Sequence, residues 1–485
     1  MLFFLSLLIV YISWMRSGNS HGYQPPIIWL SVICLVCLVW KLIVARFFRK
    51  ERQSAGAVVR HTPVNLLKDP LFAIAVLFIS YLALQWYNAG RFLYFDPARS
   101  LWHFSEPINP YLPSAVSAKE AWEMLVWLVP CFLISLCIRH GLASRSGIRN
   151  LLMLLVVNSG LLGLFGLIQF FSDAKEVFWV WPQSTHFFAS FSYQNHSGEF
   201  FLLMLCLSVG LLFRLLLFDK AARFRKLWIV ILSLICLVDL LSVHFSLVAA
   251  STLFAWAVVA VAIVFAGVII FKRFPRVMRL NLLVSVFIFA SLVFCAMSGS
   301  AREKVFKEIG DKASRECLIN DFDIRWWQDV TAYDMWKDHP WFGVGGWGYR
   351  HFLGFYMPQK AWILVKETGC ANVHNDFMQF LVEFGALGFG LLLFAVVILF
   401  WPVFRYPLWG HPLILFPVLG VLMTCLHCLI DLPFRNTAIL VVWTTMLTAA
   451  GEYARRTFAA RKRPAGRSKS KCFVEATKHD ARSGR

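Results

Sequence analysis

The sequence predicts an all-α polytopic membrane protein with about twelve transmembrane helices and one large extracytoplasmic loop containing short helices. Three observations carry that expectation. Of 485 residues, 59% are hydrophobic and only 15% charged, with a mean hydropathy of +0.64; so much apolar surface cannot be hidden in a soluble core. Apolar runs of about 17–25 residues, enough to cross roughly 30 Å of hydrocarbon, recur along the chain. Basic residues concentrate in alternate loops, the pattern of the positive-inside rule.

In chain order the expected spans are 27–44, 71–86, 122–138, 151–171, 200–217, 227–243, 247–271 and 280–297, then 377–404, 413–430 and 438–450. Segment 1–14 is short, lacks a basic start and has no convincing cleavage site, so it reads as a retained span. Four units follow: N-terminal transmembrane helices 1–298, a large extracytoplasmic loop 299–376, C-terminal helices 377–452 and a basic tail 453–485. One set of loops carries Arg46, Arg49, Lys50, Arg52, Arg60 and Lys68, then Arg139, Arg145 and Arg149, then Lys220, Arg223, Arg225 and Lys226, then Lys272, Arg273, Arg276 and Arg279. These loops are expected in the cytoplasm, with both termini. The tail supplies much of the +20 net charge. It reads as a disordered segment drawn to anionic headgroups, not a nucleic-acid module, because no folded basic domain accompanies it.

Most cysteines lie in apolar spans, among them Cys34, Cys37, Cys425 and Cys428, where a thiol behaves as a small hydrophobe. Cys317 and Cys370 fall in the exported loop, where an oxidising compartment permits a disulfide between them. In that loop Trp326, Val330, Tyr333 and Trp336 recur at helical spacing opposite Gln328, Asp329 and Lys337. This aromatic face suits either the membrane interface or packing onto neighbouring spans. His339-Pro340 ends the helix. The glycines of Gly343-Val344-Gly345-Gly346-Trp347-Gly348 imitate a dinucleotide fingerprint, but no βαβ context accompanies them. Asp321-Phe322-Asp323 is read as a chance match to a metal motif, and neither metal nor cofactor is expected.

Other pieces form an ordered set. Arg325-Trp326, Lys337-Asp338-His339-Pro340 with Gly343-Val344-Gly345, and His374-Asn375-Asp376 with Glu383 and Gly385 resemble the O-antigen ligase and polymerase family. Phe188 to His196 resembles that family's loop ending Asn-His, and His427-x-x-x-Asp431-Leu432-Pro433-Phe434-Arg435 resembles its His-x-x-x-Asp-x-Pro-x-Arg loop. The resemblance covers roughly the second half of the chain plus the 188–198 turn. It departs where many members have Ser-Arg-Gly at an outer hairpin; here the turn reads Val243-His244-Phe245-Ser246.

The resemblance implies a fold similar to GT-C-like glycosyltransferases in a bacterial inner membrane. It further implies glycan transfer from a polyprenyl diphosphate carrier to a lipid, glycan or protein acceptor, without a nucleotide donor. Histidine suits proton removal from an acceptor hydroxyl, and arginine suits a departing diphosphate. His374 is therefore the candidate base and Arg325 the candidate clamp. Arg435, Arg350, Asn195, His196, His244, Asn375, Asp376, Glu383 and Asp431 are candidate substrate-binding residues. Structural alternatives stand beside them: helix capping by Asn375 or Asp376, an ion pair between Asp431 and Arg435, and interfacial hydrogen bonding by His196 and His244. Ligase and polymerase readings both fit. A polysaccharide or lipid transporter and an inactive scaffold are the alternatives from other classes.

Overall fold

A computed structural model describes residues 1–16, 24–47, 63–97, 100–142, 144–182, 186–219, 224–273, 315–359, 361 and 372–461. The expected span 280–297, both cysteines of the expected disulfide, the Asp321-Phe322-Asp323 side chains and the tail beyond 461 lie outside the described residues or side chains.

Helices α1 (Leu2–Trp14), α2 (Gln24–Phe47), α3 (Pro63–Leu67) and α4 (Pro70–Tyr87) are followed by a hairpin of β1 (Leu93–Asp96) and β2 (Leu101–Phe104). The antiparallel strands pair Leu93 with Phe104 and Asp96 with Leu101. Then come α5 (Ala118–Leu136), prolonged by a π-helical turn Cys137–Gly141, and α6 (Arg145–Phe171). Two-residue strands β3 (Glu176–Val177) and β4 (Trp181–Pro182) precede α7 (Gln194–Leu217), α8 (Arg225–Phe245) and α9 (Ala249–Arg273). Beyond the long loop's first part lie α10 (Arg315–Asp338), α11 (Tyr349–Tyr356), α12 (Asp376–Arg405), α13 (Pro412–His427) and α14 (Thr437–Arg461).

Eight helices are long and apolar enough to cross a membrane, and α1 and α13 are shorter apolar helices. The protein is thus a multi-pass membrane protein, with eight such helices among the described residues. Burial separates the helices' roles. The apolar window of α7 is 78% buried and that of α9 only 17%, so α7 is an interior helix while α9 turns Leu253 and Val264 outward. Exposed Trp29, Trp40, Phe394 and Trp401 extend the same apolar exterior. Hydrocarbon is as apolar as leucine, so helix association rests on close packing and interior polar contacts. Gly160, Gly163 and Gly166 line one face of α6; a Cβ at Gly160 would lie 2.8 Å from Ile235 of α8. Outside the spans, Asp69 caps α4 and takes a bidentate contact from Arg139 at 2.8 and 2.9 Å. Burial raises the Asp69 carboxyl, but His140 and Arg139 outweigh it and hold it at about 2.

One expectation needs correction. The span 377–404 is not one continuous helix: Gly385 has φ 62° and ψ −176°, which breaks α12 into two pieces. The aromatic face of α10 divides between its two readings: Trp336 is half-buried and packs with the large-loop core, its Nε1 donating to the Pro340 carbonyl at 3.2 Å. Trp326 and Tyr333 are about half exposed, while Gln328, Thr331, Ala332 and Met335 are buried. The 88–117 segment, with its hairpin, also packs beside the large loop, where Phe104 meets Phe352 at 4.5 Å.

Candidate functional site

The break in α12 organises one end of the bundle. A helix interrupted at Gly385 leaves carbonyls and amides without intrahelical partners, and the His-Pro-Gly loop takes them up. Val344 and Gly345 donate to the carbonyls of Val382 and Glu383 at 2.9 Å each, while Ala386 and Leu387 donate to Pro340 and Trp341 at 2.8 and 3.2 Å. From α4, Tyr81 donates to the carbonyls of Phe342 and Phe384 at 2.8 and 2.7 Å. A Cβ on Gly343 would meet the backbone of Glu383, and one on Gly385 the backbone of Trp341. The glycines that imitate a nucleotide fingerprint therefore serve backbone-to-backbone contact.

This strap places the start of α12. Asn375 caps it, its Oδ1 accepting from Phe377 and Met378 at 3.1 and 3.3 Å, so the capping reading holds for Asn375. Asp376 is fully buried, and its Oδ2 accepts from the Phe434 amide at 2.7 Å. Immediately before the cap stands His374. Its amide donates to Gln328 of α10 at 3.2 Å, and its Nδ1 lies 3.4 Å from Asp431 Oδ1.

Asp431 is the hub. Its side chain is 4% exposed. Its Oδ1 also accepts from the Leu432 amide at 2.8 Å, its Oδ2 accepts from Asn195 Nδ2 and lies 3.9 Å from His427 Nε2. Burial raises the Asp431 carboxyl, but the hydrogen bond and charge of His374, with the charges of His427 and Arg325, hold it well below the usual carboxylate range. An ionised carboxylate only accepts hydrogen bonds. His374 turns its Nδ1 to this carboxylate on a ring that is 24% exposed. Arg325 reaches the same turn from α10, with Nη1 donating to the Ile430 carbonyl. Asp329, one helical turn from Arg325, faces His374 and Asn375, and burial pushes its carboxyl up.

A second layer lies behind. Arg435 and Glu383 form a buried pair at 2.5 Å, with side chains 2% and 0% exposed. Gln379 donates to the other oxygen of Glu383 at 2.6 Å. The Arg435 guanidinium sits over the rings of Trp347, Trp127 and Phe380 at 4.6, 5.5 and 5.5 Å and borders a cavity of about 110 Å³. The alternative pairing of Asp431 with Arg435 is thereby corrected: each has a different partner, because the 3₁₀ turn Pro433–Arg435 points them into different layers.

The remaining expected residues fall around this core. His196 is buried against the 431–436 turn, its Nε2 donating to Leu432 at 3.1 Å and its Nδ1 facing Asn436 at 3.5 Å, which matches its structural reading. Arg350 stacks over Trp347 at 4.3 Å and lies 3.8 Å from Glu120, behind the Arg435 layer. His244 packs edge-on against Phe245, and its buried Nε2 has no hydrogen-bond partner among the described residues. Among the described residues no cluster of metal-ligating side chains occurs.

Sequence reading gave no role to Glu199, fully buried in α7. His427 Nδ1 lies 2.7 Å from its Oε2 and Thr424 donates to its Oε1 at 2.5 Å. Two signals pointed to it: a carboxylate inside an apolar span, and a position four residues after Asn195 on the same helical face. Gln328 bears the same relation to Arg325, three residues on.

Residues 237–394 match the family described as Wzy_C: O-Antigen ligase. Over these residues, about a third of its length, the chain is similar to that family. No curated protein matches the chain. The O-antigen ligase match includes α10, the strap and His374 but ends before Asp431 and begins after Asn195. Folding therefore brings two segments from outside the matched residues, those of Asn195 and Asp431, against residues within them.

Proposed function

We propose that this protein transfers a glycan from a polyprenyl diphosphate carrier to a lipid, glycan or protein acceptor at the outer face of the bacterial inner membrane. The observation that carries the proposal is the contact of His374 Nδ1 with the buried Asp431 carboxylate at 3.4 Å, beside an arginine anchored on the same turn. His374 Nε2 takes the proton of the acceptor hydroxyl as the oxygen attacks the anomeric carbon. The bond from that carbon to the phosphate oxygen breaks, and the carrier diphosphate leaves with the bonding pair. Arg325 stabilises the departing charge with paired N–H donors. Asn195 and Asp431 orient the base, and Asn375 and Asp376 hold the first turn of α12. His244 stands at the turn where many family members carry an arginine, so the diphosphate clamp falls to Arg325, with Arg350 and Arg435, each beside a carboxylate, in the layer behind it.

The test is reconstitution with a polyprenyl-diphosphate-linked glycan, following both transfer and carrier release. General-base removal costs about 10²–10⁴-fold, so His374→Ala should lose transfer by that factor, and Arg325→Ala should weaken it as well. Full activity in both variants would remove the assignment. Movement of the intact lipid-linked glycan without carrier release would favour a transporter instead. Supplying repeat units in place of a lipid acceptor separates polymerase from ligase, since both share this leaving-group chemistry.

A further inference from the structure

Helices α7, α13 and α14 each have one end at the His374 cluster; their other ends meet the start of α6 around a second cavity, of about 750 Å³. At 1.5 Å per residue, the 24 residues of α7 set the two about 36 Å apart. This is the end that the arginine and lysine distribution assigns to the cytoplasm. The volume falls within the roughly 300–1,000 Å³ of ligand clefts.

Its lining is basic. Arg145, Arg149, Arg214 and Arg461 face it against a single carboxylate, Asp219. That carboxylate is engaged, accepting from Arg214 Nη1 and Nη2 and lying 3.6 Å from Arg149. Arg145 and Arg461 stand exposed at the rim. The first turn of α6 adds backbone amides beside Ser144 and Ser146. His411 reports the field: burial, then the charges of Arg214 and Arg461, push its imidazole down to about 4. His411 therefore enters as a neutral ring between Phe218 and Tyr453.

The flank is apolar. Phe218, half exposed, stacks on His411 at 4.9 Å, and Leu216 and Phe224 are exposed nearby. Free phosphate needs only the basic side of such a cleft. A phosphate attached to acyl chains uses both sides, at the depth where membrane helices end. We propose that this cavity binds the phosphate of an anionic phospholipid headgroup, with the acyl chains running along the apolar flank. The site is independent of the chemistry assigned to His374.

The experiment uses the full-length protein, purified in detergent and delipidated, with phosphatidylglycerol binding followed by native mass spectrometry and thermal shift. Each surface arginine contributes about fivefold to attraction for anionic lipid. Arg145→Gln/Arg461→Gln, altering two exposed rim residues, should therefore weaken binding about thirtyfold. The same charge change made at Lys119 and Lys175, exposed and outside this cavity, should leave affinity within twofold. Phosphatidylcholine should bind at least tenfold more weakly. Equal affinity in the rim variant, equal weakening by the control, or equal binding of phosphatidylcholine would overturn the proposal. Complete displacement by millimolar inorganic phosphate would also overturn it, in favour of a soluble-phosphate site. Unchanged melting of the lipid-free variants shows that folding is not the cause of a lost shift.

Discussion

Gly385→Ala tests the architecture that holds the candidate base. Gly385 sits at φ 62° and ψ −176°, a region that essentially only glycine occupies, so an L side chain costs roughly 1–3 kcal/mol in backbone strain alone. Its Cβ would also meet the Trp341 backbone, which cannot swing aside as a side-chain tip can. Relief requires the His-Pro-Gly loop to lift, and four loop-to-helix hydrogen bonds then open. At about 0.5–1.5 kcal/mol each, they add roughly 2–6 kcal/mol. The expected loss is thus at least about 3 kcal/mol, a large part of a typical total of about 5–15 kcal/mol. Thermal unfolding in detergent reads the total, and hydrogen exchange locates it: amides of Val344, Gly345, Ala386 and Leu387 should lose protection first. Gly390→Ala is the internal control, because a Cβ there meets nothing within 4 Å and helix propensity favours alanine by roughly 0.5–1 kcal/mol. If Gly385→Ala melts with the wild type and keeps those four amides protected, the strap does not hold α12 as argued.

Glu383→Ala should cost about 3–5 kcal/mol in chemical denaturation, since it strips the carboxylate from the buried pair with Arg435. Glu383→Leu/Arg435→Met should lose less than the sum of its single changes, and strict additivity would show that the pair is not coupled. The Asp431 carboxyl is held below its unfolded value of about 3.9. Its contribution to stability is therefore complete above about pH 4 and is lost as pH falls through the lower folded value. The stability gap between wild type and Asp431→Asn should accordingly shrink as pH falls below about 4; a gap that stays unchanged or grows on further acidification beneath that value contradicts the assignment. Glu199→Gln removes the charge behind His427 without touching the face of His374. It should lower the rate of glycan transfer while leaving His374→Ala no worse when the two changes are combined.

The legible and the hidden parts of this protein divide along physical lines. Helical periodicity placed an element over 323–338 because spacing is local, yet which face turns inward depended on partners distant in sequence. Gln328 is buried because it holds the His374 amide, and so Trp326 points out. Proline and glycine announced a turn at 339–348, but the purpose of those glycines appeared only once α12 was broken beside them. Arg435 and Asp431 are neighbours in sequence, which suggested a pair; a 3₁₀ turn sends one to Glu383 and the other to His374. The missed carboxylate, Glu199, was visible as a charge within an apolar run.

By itself the sequence determined the membrane class, because apolar content and run length answer to hydrocarbon thickness without reference to any contact. It also carried the ordered motifs around His374. The tertiary structure alone decided which of those residues meet. Asn195, Arg325, His374 and Asp431 come from four separate segments, and only the packing of α7, α10, α12 and α13 at one end brings them together. Their chemistry depends on separations of a few ångströms and on exclusion of water, and neither is a property of residue order.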